Sequence, residues 1–162
     1  MRVDMCTYEH RFMERAVQLG IAGMGRNEGG PFGAVVVLGD QVVGEGNNQV
    51  ILLNDPTAHA EVVAIRNACK NLNTYQLTDC VIYSSCEPCP MCLGSIYWAR
   101  PKAVYYGCTQ RDAAEIGFDD NFIYEELKLQ HQDRRIPFLN HDREFAITAF
   151  HLWKEKIDKQ QY

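Results

Sequence analysis

The chain has 162 residues, of which 46% are hydrophobic, and this fits a single domain over residues 1–162 with a core large enough to fold unaided. Its formal net charge of -5 argues against a broad basic surface for long nucleic acids. The longest aliphatic run, residues 34–38, is far shorter than the roughly 20 residues of a membrane span, and no apolar segment follows the charged amino-terminal residues. We therefore expect a cytoplasmic protein without a membrane partner.

The amino-terminal half alternates helical and extended patterns. Apolar positions at helical spacing predict an amphipathic helix over residues 8–22, ahead of a glycine-rich stretch. Two extended runs, 33–38 and 42–46, lie on either side of a Gly-Asp turn and predict an antiparallel hairpin. After a loop over residues 47–57, apolar side chains on one helical face predict a helix that starts near His59.

The carboxyl-terminal half begins with a strand, helix and strand pattern. Residues 80–84 predict a strand, residues 90–99 a helix that Pro101 stops, and residues 103–106 a second strand. Beyond them, the acidic segment 112–126 and the final stretch from about residue 145 have helical patterns. Because helical and extended segments alternate along the chain, the sequence predicts an α/β layered fold.

Two short motifs carry the chemistry that the sequence indicates. The segments His-Ala-Glu, residues 59–61, and Pro-Cys-Pro-Met-Cys, residues 88–92, match the H-x-E and P-C-x-x-C pattern of zinc deaminases. Cys89 and Cys92 are three residues apart at the start of a helix, so their sulfur atoms project to one face and one Zn²⁺ can bind both. His59 at a helix cap would supply the third ligand and leave the fourth tetrahedral position for water.

Glu61 distinguishes a hydrolytic deaminase from a structural zinc site, because a structural site needs no carboxylate beside the metal. Two thiolates neutralise the charge of Zn²⁺, so we expect its bound water to be less acidic than in a site with only histidine ligands. An adjacent base is then needed to take the proton. Glu61 would help form a zinc-bound hydroxide and then pass protons to the ring nitrogen and the departing ammonia. The alternative is a closed structural zinc module in which Cys86 supplies a fourth ligand, because Cys86 and Cys89 form another C-x-x-C pair.

Three longer blocks, two of which contain the metal motifs, extend the match along the chain. They read Gly-Pro-Phe-Gly-Ala at residues 30–34, Asn-Asp-Pro-Thr-Ala-His-Ala-Glu at 54–61 and Ser-Cys-Glu-Pro-Cys-Pro-Met-Cys-Leu-Gly at 85–94. In combination, the chain resembles the guanine deaminase family of the zinc-dependent cytidine deaminase superfamily, over most of its length to about residue 137. The resemblance implies a three-layer α/β/α fold with a central five-stranded mixed sheet. It also implies hydrolysis of guanine at C2 to xanthine and ammonia.

By position, the resemblance also implies a site for a small purine substrate. Asn48 would hydrogen-bond the purine, and Phe32 and Trp98 would line or sandwich it. Asp120, favoured over its neighbour Asp119, would read or protonate the exocyclic amine. Each residue type has an ordinary structural explanation as well: an Asx turn for the asparagine, a solvated helix cap for the two carboxylates, and a core or interface position for the aromatic rings.

A homodimer is the expected assembly. The resemblance implies a dimer whose subunits exchange their carboxyl-terminal segments, here about residues 140–162. Tyr162 would then cap the partner's pocket. A tyrosine at a chain end is usually frayed, so only the resemblance supports this role.

Two rival enzymes share parts of the pattern. A tRNA adenosine deaminase resembles the chain at the block 54–61 and at Pro-Cys-x-Met-Cys, but an RNA reader should present cationic and stacking surface. In this chain the predicted helix 90–99 at the metal motif, called the metal helix below, is followed by acidic residues, namely Asp112, Glu115, Asp119, Asp120, Glu125 and Glu126. The second rival is a cytosine-type deaminase of another small base, because pocket shape sets that choice and the sequence shows it poorly.

Overall fold

The computed structural model describes residues 7–161, which form an α/β fold with a mixed sheet. The chain falls into two units, one ending at Asp120 and the other beginning at Asn121. The first unit contains α1 (His10–Gly25), β1 (Gly33–Leu38), β2 (Gln41–Asn47), α2 (Val50–Leu53), α3 (Ala60–Leu72), β3 (Cys80–Cys86), α4 (Pro90–Ala99), β4 (Ala103–Cys108) and α5 (Gln110–Glu115). The second contains α6 (Asn121–Lys128), a 3-10 turn (His131–Asp133) and α7 (Arg143–Glu155).

The sheet of the first unit has four strands in the order β2-β1-β3-β4. Strand β1 pairs antiparallel with both β2 and β3, and β3 pairs parallel with β4. The expectation of a five-stranded sheet is therefore wrong for residues 7–161. That expectation came from the resemblance alone. The chain after β4 enters a helix instead, because Thr109 and Asp112 form a reciprocal capping box at the start of α5.

Helices cover both faces of the central strands and produce the three expected layers. Ala34 and Val36 of β1 face a core that they share with α3 and α4. Val35 and Val37 point the other way, into a core with Phe12 of α1. This alternation follows from the two-residue period of a strand. A strand that is buried on both faces has a continuous apolar sequence, which is the pattern of β1.

Helix α3 lies close to β2 because glycines stand at their contact. A Cβ on Gly46 would lie 2.3 Å from the Ala60 carbonyl oxygen and 2.6 Å from the Ala64 amide nitrogen. A Cβ on Gly44 would lie 2.4 Å from the Ala64 carbonyl oxygen. Because neither glycine carries a Cβ, the first turns of α3 can lie directly against β2, and α3 begins directly after His59.

Gly46→Ala is therefore expected to lower the free energy of unfolding by about 1–3 kcal/mol, because the added methyl group meets backbone atoms that cannot move cheaply. Gly94→Ala is the matched control, since a Cβ at Gly94 in α4 would meet nothing within 4 Å. The control should raise stability by about 0.5–1 kcal/mol, as alanine favours helix. Urea unfolding of both variants measures the difference. Equal stability of the two variants would contradict the close approach.

Most predicted elements are confirmed, with ends shifted by a few residues, and two differences have a structural cause. Helix α2 lies within the stretch 47–57 that was predicted as a loop. The acidic segment 112–126, predicted as helical, is interrupted because Gly117 has a φ of 94°. This left-handed conformation ends α5 and suits glycine.

The second unit has local contacts of its own. The Arg135 backbone N–H donates a hydrogen bond of 2.7 Å to the Glu126 carboxylate, and the Arg135 guanidinium lies 5.8 Å from the ring centroid of Phe122. The final helix begins at Arg143, two residues before its predicted start. Across residues 7–161, none of the helices combines the length and the apolar character that crossing a bilayer requires.

Candidate active site

The three expected metal ligands lie at the beginnings of two helices. His59 is the N-cap of α3 and Cys89 is the N-cap of α4, both with extended backbone conformations. Cys92 lies in the first turn of α4 and is fully buried. The prediction that His59 caps its helix is confirmed. The cap position explains how His59 and Glu61 can serve one site, although residues two apart do not share a face inside a helix.

The spacing of the ligand atoms fits a zinc ion. His59 Nδ1 lies 3.5 Å from Cys89 Sγ and 3.6 Å from Cys92 Sγ, and the three atoms all lie within 4.8 Å of one another. Tetrahedral bonds of about 2.3 Å to sulfur and about 2.0–2.1 Å to nitrogen would separate those atoms by about 3.6 Å. Two thiolates and an imidazole are also a donor set that zinc accepts. The group is therefore positioned to bind zinc, as predicted.

The two sulfur atoms differ in their affinity for a proton. A hydrogen bond from Cys92 has the largest effect on Cys89 and lowers the pKa of its thiol. Burial opposes this effect, a hydrogen bond with His59 adds to it, and the resulting pKa is about 4. The same contact with Cys89, together with burial, raises the pKa of Cys92. A metal ion that binds both sulfur atoms would therefore displace the proton of Cys92.

Glu61 is a buried carboxyl group in the first turn of α3, with 6% of its surface exposed. Its Oε1 accepts a hydrogen bond of 3.0 Å from the Ser84 hydroxyl, and its Oε2 accepts one of 3.4 Å from Cys92 Sγ. Burial raises the pKa of Glu61, which moves this group toward the range in which a general acid or base is most effective at neutral pH. The role of Ser84 is not evident from the sequence. Its only signal is a hydroxyl side chain in a strand that is buried throughout.

Cys86 is directed elsewhere. Its Sγ donates to the Thr109 carbonyl at 3.6 Å, and burial raises the pKa of its thiol to about 11. Within residues 7–161, the group of possible metal ligands contains His59, Cys89 and Cys92 and not Cys86. All cysteines in this range are free thiols. The alternative of a closed structural site with Cys86 as fourth ligand therefore finds no support.

Phe32 and Asn48, two of the expected purine-binding residues, are neighbours. The Asn48 backbone N–H donates to the Phe32 carbonyl at 3.0 Å, and the Asn48 side chain is buried. Asn48 Oδ1 accepts a hydrogen bond of 3.2 Å from the Val50 backbone N–H, so the residue forms the Asx turn that is its ordinary structural role. The Phe32 ring meets Phe118 edge-on, with ring centroids 4.9 Å apart and an angle of 89°. Phe118 was not singled out from the sequence.

Asp120 lies at the end of the first unit, near the metal group. Its Oδ1 accepts a hydrogen bond of 2.8 Å from Gln110 Nε2. The pKa of His59 is raised chiefly by its hydrogen bond with Cys89, against the effect of burial, and the charge of Asp120 adds to the rise. The Asp120 carboxylate is therefore close enough to act electrostatically on a metal ligand.

The other two expected substrate residues are Trp98 and Tyr162. Trp98 lies on α4 with 64% of its surface exposed. Tyr162 lies outside the described residues.

Residues 7–108 match the family of the cytidine and deoxycytidylate deaminase zinc-binding region. This range contains all three possible metal ligands and the buried carboxylate of Glu61. The match and the site together define a zinc-dependent deaminase, a class of hydrolases that acts on cyclic amidines.

Comparison with known relatives shows to which family of zinc-dependent deaminases the chain belongs. The guanine deaminase of Bacillus subtilis (strain 168) is 53% identical over 151 residues, which are 93% of this chain and 97% of that protein. The X-ray structure of guanine deaminase from Bacillus subtilis has a TM-score of 0.93 at 51% identity and covers 96% of this chain and 99% of its own. A tRNA-specific adenosine deaminase of Haemophilus influenzae is 39% identical over 102 residues, which are 62% of this chain and 58% of that protein. The chain belongs to the guanine deaminase family.

Proposed function

We propose that this protein hydrolyses guanine at C2 and releases xanthine and ammonia. The proposal rests on the buried Glu61 carboxylate, which lies beside three ligand atoms spaced for zinc. A structural zinc site has no use for a buried carboxylate, whereas deamination needs a group that accepts and returns protons. The identity of 53% to a guanine deaminase supports guanine as the substrate.

Glu61 would carry the protons of the reaction. Zinc held by His59, Cys89 and Cys92 would supply the Lewis acidity that lowers the pKa of water. The Glu61 carboxylate would accept a proton from the attacking water, deliver it to the ring nitrogen and help to protonate the leaving amine. Ser84 bonds to Oε1, so Oε2 remains directed toward the metal ligands.

The purine would bind beside Phe32 and Asn48. Phe32 is half-buried, with its ring perpendicular to that of Phe118, and would stack on or line the purine. Asn48 uses Oδ1 in its Asx turn, and its Nδ2 can donate to a purine acceptor. Asp120 would read or protonate the exocyclic amine, and Trp98 would line the ring.

A homodimer with exchanged carboxyl-terminal segments remains part of the proposal. The exposed fractions of Phe145, Phe150 and Leu152 on α7 are 81%, 71% and 69%, and apolar surface of this extent favours burial in an interface. Tyr162 would then cap the purine site of the other subunit. Light scattering should give a molar mass near twice the 18.5 kDa of one chain, and the mass of a single chain would contradict the dimer.

Ammonia release from guanine, adenine, cytosine and their nucleosides tests the substrate, with zinc measured in the same preparation. We expect release from guanine. We expect no inosine in a tRNA anticodon stem-loop, because the acidic segment after the metal helix lacks the cationic surface of an RNA reader. Inosine formation in the tRNA, or ammonia from cytosine alone, would overturn the guanine assignment.

A further inference from the structure

We infer that Gln110 is a positioning residue that orients the Asp120 carboxylate, and the inference rests on the role proposed for Asp120 at the substrate amine. Gln110 Nε2 donates a hydrogen bond of 2.8 Å to Asp120 Oδ1 in a partly buried contact. A donor that holds one carboxylate oxygen selects one rotamer of the aspartate and leaves the second oxygen for another partner. Asp120 Oδ2 can then face the exocyclic amine.

The backbone of Gln110 is held by its surroundings. Its N–H donates a hydrogen bond of 3.0 Å to Glu87 Oε2, and the Glu87 N–H donates one of 2.8 Å to the Cys108 carbonyl. The preceding residue, Thr109, is joined to Asp112 by the capping box of α5. When the backbone of a residue is already fixed, its side chain loses less conformational entropy on forming a hydrogen bond than it would on a mobile backbone. Gln110 is therefore suited to hold a partner in place.

The chain before Asp120 turns back toward the start of α5. Gly117 adopts the left-handed conformation, and its N–H donates to the Ala114 carbonyl at 3.0 Å. The Phe118 N–H donates to the Ala113 carbonyl at 3.0 Å, which completes a Schellman motif at the end of the helix. This reversal brings Asp120 beside the first residue of α5. Both partners of the hydrogen bond therefore come from backbone segments that are fixed locally.

Arg111 provides a matched control on the same helix. Its guanidinium pairs with Glu115 at 3.4 Å, and both side chains are exposed. An exposed pair of this kind contributes little to stability. A change at Arg111 therefore alters α5 without touching Asp120.

Steady-state kinetics on guanine test the inference. Gln110→Ala should lower kcat by about 10-fold with little change in KM, because the lost hydrogen bond goes to a charged group that acts in the transition state. Gln110→Glu keeps the size of the side chain but sets a second carboxylate against Asp120, so kcat should fall further. Arg111→Ala should keep the wild-type kcat. Zinc content and the urea midpoint report whether each variant remains folded.

Asp120→Ala separates positioning from a structural role. It should lower turnover more than Asp119→Ala does. In the Asp120→Ala background, Gln110→Ala should cost less than about 2-fold, because the carboxylate that it orients is gone. An equal loss in both backgrounds, or an unchanged kcat in Gln110→Ala alone, would overturn the inference and leave guanine deamination standing. A wild-type protein that leaves guanine intact would overturn the proposed function and this inference with it.

Discussion

Glu61→Gln is expected to lower kcat for guanine by about 10²- to 10⁴-fold while zinc stays bound. Glutamine keeps the size of the side chain, and its amide oxygen can still accept the hydrogen bond from Ser84. It cannot accept the proton that the attacking water must lose. Ammonia release and zinc content, measured on one preparation, separate the loss of chemistry from the loss of metal.

Glu45→Gln is the matched control for this substitution. The Glu45 carboxylate accepts two hydrogen bonds of 2.7 Å from the exposed Arg15 guanidinium. The control loses this ion pair and should keep the wild-type kcat. Wild-type turnover by Glu61→Gln would refute the proton role of Glu61.

Cys89→Ala is expected to abolish both stable zinc binding and guanine turnover. The wild-type chain should carry about one zinc ion, and the variant should carry almost none, because two remaining ligands do not hold a catalytic zinc ion. Cys89 is also the thiol with a strongly lowered pKa, so its loss removes the most available thiolate. Elemental analysis after dialysis measures the bound zinc.

Cys86→Ala, three residues earlier in the chain, is the control for the metal site. The Cys86 thiol donates to a backbone carbonyl, so its removal should leave zinc content and turnover near the wild-type values. Loss of zinc from this variant would restore the closed structural site as the better explanation.

The elements that the sequence predicts well are those whose own residues decide them. The apolar run of β1 requires burial on both faces, and the structure buries it between two helical layers. Pro90 starts α4 at a position where the missing N–H costs nothing, and Pro101 follows its end. For such segments, local conformation and tertiary packing favour the same structure.

The differences arise where tertiary contacts or one backbone angle decide the outcome. Helix α2 lies in a stretch with loop composition, and the N–H groups of Ile51 and Leu52 bond to the Glu28 carbonyl far back in the chain. The positive φ of Gly117 interrupts the acidic segment in a way that composition does not reveal. The fifth strand, which residues 7–161 do not contain, was expected from the resemblance alone and had no pattern in the residues after β4 to support it.

The residues of the site also fall into those that the sequence predicts and those that depend on tertiary contacts. His59, Glu61, Cys89 and Cys92 could be identified because their spacing along two helix starts determines which way the side chains point. Ser84, by contrast, reaches Glu61 only through the packing of β3 against α3, across 23 residues of sequence. Such contacts depend on which elements become neighbours, and a single sequence does not state that.

The first turns of α3 and α4 each place a fully buried residue at or beside the metal ligands, and this anchors part of the catalytic centre in the interior. Helix ends ordinarily fray, but Ala60 and Cys92 have no exposed surface, and peeling either turn away would open the hydrophobic interior to water. Cys92 should therefore keep its place until the whole unit melts, whereas His59 and Cys89 are half-buried and remain partly accessible to solvent.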